Sequence, residues 1–62
     1  MSKKYTVYYE NAGYAVTLNH EAQRYEVRAK NNPSKVLAFY PLDDLLAPDK
    51  ASDDADEREE LL

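Results

Sequence analysis

The chain has 62 residues, no cysteine, one histidine and six tyrosines, and its eight lysines and arginines face twelve aspartates and glutamates, a net charge of −4. That length allows one small domain with a thin core, because a chain of this size buries only roughly 60% of the surface it exposes when unfolded. Disulfides and an ordinary zinc site are excluded, and no apolar run approaches the roughly 18 residues of a membrane span.

The N-terminal Met1–Thr6 stretch has two lysines but no apolar segment, so no signal peptide is expected. With no cysteine, the expected compartment is the cytoplasm. Lys4–Glu10 is rich in aromatic and β-branched residues and predicts a first strand, with Tyr5, Val7 and Tyr9 on one face and Thr6, Tyr8 and Glu10 on the other. Asn11-Ala12-Gly13 follows, and Gly13, the only glycine, is placed to take a left-handed conformation in a short hairpin. Tyr14–Asn19 predicts the second strand. After the polar turn His20–Gln23, Arg24–Ala29 alternates cleanly, with Tyr25, Val27 and Ala29 inward and Arg24, Glu26 and Arg28 toward water.

Lys30–Lys35 reads as a turn in which Pro33 breaks the strand ladder, and Val36–Tyr40 as a fourth strand. After Pro41, the leucines Leu42, Leu45 and Leu46 share one helical face, which predicts a short helix over 42–47 that covers the sheet and stops at Pro48. Residues 49–62 then form an acidic tail. Ser52 is a reasonable helix cap within it, but the like-charged pairs Asp53–Glu57 and Asp56–Glu60 oppose a helix, so alone the tail is expected to be frayed or disordered. The expected architecture is a small α+β fold: a four-stranded antiparallel, meander-like sheet over 1–48 with one short C-terminal helix, and an acidic, frayed or helical tail.

Charge is segregated. Six bases face three acids from Met1 to Tyr40, and nine acids face two bases from Pro41 onward. Catalysis finds no support: there is no thiol, His20 sits in a turn, Ser2, Ser34 and Ser52 lie in the terminus, a loop and the tail, and the neighbours Asp43 and Asp44 diverge by about 100° on a helix. No enzyme and no cofactor are expected. The tail acids match no calcium-loop spacing, so no metal is expected either. Six tyrosines and six bases are the raw materials of a base-stacking sheet, but the chain is acidic overall and lacks the aromatic signature of RNA-binding sheets. Direct nucleic-acid and membrane contacts are therefore not expected.

Six carboxylates within Asp53–Glu60, about 12 Å of helix, give a charge every ~2 Å. Duplex DNA carries one per roughly 1.7 Å, so such a tail suits a basic groove or imitates DNA. Val36–Tyr40 is apolar on both faces yet falls at a sheet edge in a meander, so it calls for cover from strand one, from a second copy or from a partner. The leading expectation is a non-enzymatic binding protein, an inhibitor or regulator of the type phages encode, that occupies a basic surface of a larger protein. Its acidic contacts would be Asp43, Asp44, Asp49, Asp53, Asp54, Asp56, Glu57, Glu59 and Glu60, and its apolar or dimer edge Val36, Ala38, Phe39 and Tyr40. The alternatives are a self-assembling homodimer with the tail as solubiliser, and an aromatic nucleic-acid-binding sheet.

Overall fold

The computed structural model describes residues 4 to 61, so the readings that involve Met1, Ser2, Lys3 and Leu62 lie outside the described residues. Strands β1 (Tyr5–Glu10), β2 (Tyr14–Asn19), β3 (Arg24–Ala29) and β4 (Asn32–Pro41) form one antiparallel sheet in chain order. Helix α1 (Ala47–Glu60) packs across it, touching all four strands. This is the small α+β meander that period-two alternation predicts.

The register explains where the core lies. Val16 faces Val27, Leu18 faces Tyr25 and Tyr14 faces Ala29, and paired residues share a face of the sheet. Tyr25 and Val27 in turn face Tyr40 and Ala38. That face meets the helix through Ala47, Ala51 and Ala55, which are fully buried at i, i+4 and i+8. Methyl side chains along one line let the helix backbone approach the sheet closely. The core is correspondingly small, with Val16 and Val27 its only fully enclosed large apolar side chains among the described residues.

Four local expectations are corrected. The helix does not span 42–47; those residues up to Leu46 form turns, and α1 begins at Ala47. Asp44 organises the turn: its backbone carbonyl accepts from the Ala47 N–H at 3.0 Å, and its Oδ1 accepts from the Leu46 N–H at 2.9 Å. Pro48 then falls in the first helical positions, where a backbone N–H has no partner to lose, so it starts the helix instead of stopping it. Leu42, Leu45 and Leu46 are exposed, Leu45 at 93%, and the alanines cover the sheet in their place.

The second correction is in β1. A bulge between Val7 and Tyr9 leaves Val7 opposite Thr17 but Tyr9 opposite Val16, so Tyr5 and Val7 face away from the helix while Tyr9 faces it. The Tyr8 ring meets Tyr25 edge-on, 5.1 Å between centroids. Third, β4 starts at Asn32 and carries Pro33 within it; an edge strand tolerates a residue that cannot donate to a ladder. Fourth, Gly13 does not adopt positive φ; the Asn11 side chain closes that turn by accepting from Gly13 N and Tyr14 N at 3.1 and 2.8 Å. The left-handed residue is Gln23, with φ of 56°, in the β2–β3 turn.

Candidate functional site

The molecule presents two chemically opposite surfaces, the outer side of α1 and the uncovered face of the sheet. The nine acids expected to meet a partner are divided by the fold. Tyr9 Oη donates to Asp56 Oδ1 at 2.5 Å, and Asn11 Nδ2 donates to the Ala55 carbonyl at 3.1 Å and to Asp56 at 3.3 Å. The Ala12 N–H donates to Glu59 Oε2 at 3.1 Å. On the other flank Tyr40 Oη donates to Asp54, whose Oδ1 also accepts from Arg58 Nε at 2.5 Å. Lys50 pairs with Asp44 at 2.6 Å, and Asp43 is exposed in the turn. These bonds clasp the helix to the sheet edges on both sides. The carboxylates push both phenols up, Tyr40 to about 12 through its hydrogen bond to Asp54, and Tyr9 in the same direction through its bond to Asp56.

Asp49, Asp53, Glu57 and Glu60 remain. All four are exposed, and at about 100° per residue they fall in one line opposite the buried alanines. The line is about 16 Å long. Free charge therefore recurs about every 5 Å along the helix, wider than the roughly 1.7 Å of duplex DNA, which weakens the likeness in charge density to a DNA duplex. Beside the line lies an open concavity of about 330 Å³, lined by Tyr40, Lys50, Asp53, Asp54 and Glu57.

The uncovered sheet face holds residues that alternation had assigned simply to water. Glu26, on central strand β3, is only 1% exposed. Its carboxylate accepts from Arg24 Nε at 2.7 Å, Arg28 Nη2 at 2.6 Å and Asn19 Nδ2 at 3.3 Å. Burial alone would raise its pKa, but the hydrogen bonds from Arg24, Asn19 and Arg28 outweigh that and hold it below the usual carboxylate range. The shielding comes from its partners' long side chains, not from layers of core. Each guanidinium also lies over a ring, Arg24 4.4 Å from the Phe39 centroid and Arg28 5.0 Å from that of Tyr5. Ring, guanidinium, carboxylate, guanidinium and ring thus form a continuous ladder drawn from β1, β3 and β4. Thr17 Oγ1 and Arg28 Nε are buried there without a hydrogen-bond partner among the described residues.

The expected apolar edge is divided as well. Ala38 and Tyr40 turn to the helix, whereas Val36 and Phe39 pair with Arg28 and Glu26 on the uncovered face. β4 is an edge strand, so strand one does not cover it. Sequence reasoning missed Tyr5, Arg24, Glu26 and Arg28 as a set; the Arg-x-Glu-x-Arg spacing on one strand face was the available signal. Among the described residues no three histidine, aspartate or glutamate side chains are placed to hold a metal ion, and no helix is long and apolar enough to cross a membrane. The chain matches no protein-family model, no curated protein and no solved structure.

Proposed function

We propose that this protein is a binding module, an inhibitor or regulator in type, that seats the outer side of α1 on a basic surface of a larger protein. The observation that carries the reading is the sorting of carboxylates: three are spent holding the helix, and Asp49, Asp53, Glu57 and Glu60 are left in one rigid, uncommitted line. A line on a docked helix loses less conformational freedom on binding than a flexible acidic tail does, so more of its Coulomb energy appears as affinity. The neighbouring concavity gives a partner's lysine or arginine a place to enter between Asp53 and Glu57. Charge of this kind speeds encounter and fixes orientation, and exposed Leu45, Leu46 and Leu61 near the helix ends add apolar contact.

The test is capture from lysate by the tagged full chain at low salt, repeated with Asp53→Asn/Glu57→Gln. The wild type retains a basic protein that elutes as salt rises, and the double variant loses it by tenfold or more while keeping its circular dichroism. Equal retention by both chains removes the acidic line from the account.

A further inference from the structure

We propose that the uncovered face of the sheet binds single-stranded nucleic acid, with Tyr5 and Phe39 stacking bases and Arg24 and Arg28 holding phosphates. This surface is separate from the acidic line of α1 and goes beyond the reading above.

Three features of the face lead there. A protein–protein interface has an apolar centre and a polar rim. Here the order is inverted: the centre is the Arg24–Glu26–Arg28 cluster, and the exposed apolar groups, Tyr5 at 43%, Val7 at 60% and Phe39 at 56%, lie toward the two edge strands. A flexible polyanion that carries planar bases satisfies both halves of that pattern, and an acidic peptide satisfies only the charged half. The donors are also available. Only Nε of Arg24 is hydrogen-bonded among the described residues, which leaves its terminal nitrogens free; Arg28 gives one N–H of Nη1 to the Pro33 carbonyl and one of Nη2 to Glu26, so each terminal nitrogen keeps a second N–H. A phosphate oxygen reaching either arginine meets an unspent N–H.

Two objections fail on magnitude. Glu26 lies between the arginines, but it is 1% exposed and accepts from both, so it shows almost no carboxylate surface to a ligand, and the Arg24–Glu26–Arg28 cluster is cationic; the other carboxylate of this face, Glu10 across Ala15 from Arg28, is paired with Lys30 at 3.9 Å. The net charge of −4 counts against nucleic-acid contact, as does the missing aromatic signature, yet the acidic excess sits on α1, on the far side of the sheet. The molecule is 15 Å thick along its shortest axis, beyond the screening length of about 8 Å at physiological salt. A duplex fits poorly: four strands span about 14 Å, too broad a surface for a major groove about 12 Å wide.

The experiment is fluorescence anisotropy of labelled 12-nucleotide oligo-U and oligo-dT titrated with the full chain, beside a duplex of the same length. Saturable binding of the single strands, weaker for the duplex, is expected. Two phosphate contacts predict a salt slope of about −1.4, roughly a sevenfold loss between 50 and 200 mM salt. Phe39→Ala and Arg24→Gln should each weaken binding about fivefold or more. Arg24→Lys keeps the charge beside Glu26 and serves as the folded control, with a smaller loss; Asp53→Asn should leave affinity within about twofold. The proposal is overturned if the single strands show no saturation up to 1 mM at 50 mM salt. It is equally overturned if the duplex binds as tightly, if Phe39→Ala and Arg24→Gln bind like wild type, or if the face proves to join two copies or to hold a protein in place of an oligonucleotide.

Discussion

Glu26 illustrates how much one residue can hold in a domain this thin. It accepts from three side chains, and its partner Asn19 also caps the β2–β3 turn by accepting from Glu21 N and Ala22 N at 3.0 and 2.9 Å. Glu26→Gln leaves two guanidiniums side by side with one fewer charge between them. The expected cost is about 2 kcal/mol, below the roughly 3–5 kcal/mol of a fully enclosed pair, because both arginines keep some contact with water. Its carboxyl pKa is depressed in the folded chain, so the stability it contributes is full above the ordinary glutamate value of about 4.3 and is lost as pH falls through the native value. Urea melts from pH 6 to 3 should show the wild type losing stability faster than Glu26→Gln. Tyr40 has the opposite sign. Its phenol is raised to about 12 by the bond to Asp54, so its contribution is full below pH 10 and disappears as pH climbs to 12. Tyr40→Phe should cost about 1 kcal/mol at pH 7, and its stability should fall less than that of the wild type between pH 10 and 12 in the same melts.

At the scale of elements, α1 stays on the sheet through the fit of small side chains and the clasp of hydrogen bonds at its flanks. Ala51 lies at the middle of the contact with no exposure, between Ala47 and Ala55. Ala51→Leu forces the helix away from Val16 and Val27 and should cost about 1–3 kcal/mol by overpacking, read as a lower urea midpoint. This element was also the hardest to read in the sequence. The strands were legible because alternation of Val, Leu and Tyr with polar residues is strong over Tyr14–Asn19 and Arg24–Ala29. The helix was misplaced because leucines at 42, 45 and 46 outweigh alanines in any apolar pattern, and because Pro48 reads equally as a stop or a start. Only the close approach of backbone to sheet makes alanine the better choice. The bulge at Tyr8 was equally hidden, since nothing local in Tyr5–Glu10 marks an extra residue. Of the surfaces, the acidic residues were legible as a set but not as two sets, because their division depends on phenols from β1 and β4, far away in sequence.

For the whole molecule, the result is a two-layer body with an arginine cluster on one side and an acidic line on the other. The ring-bearing sheet face with its arginine cluster and the acidic line of α1 point away from each other, so the two proposed surfaces should be separable by substitution. That arrangement requires the acidic segment to be a docked helix. Were it a loose tail, the carboxylates would sample all directions, screen the arginines and offer no line to a partner. Amide hydrogen exchange followed by mass spectrometry on the full chain reads this directly. The amides of Ala51–Arg58 should be protected within about tenfold of those in β2 and β3, and Ala51→Leu should reduce that protection first. Exchange of Ala51–Arg58 at unstructured rates, while β2 and β3 stay protected, would contradict the docked helix.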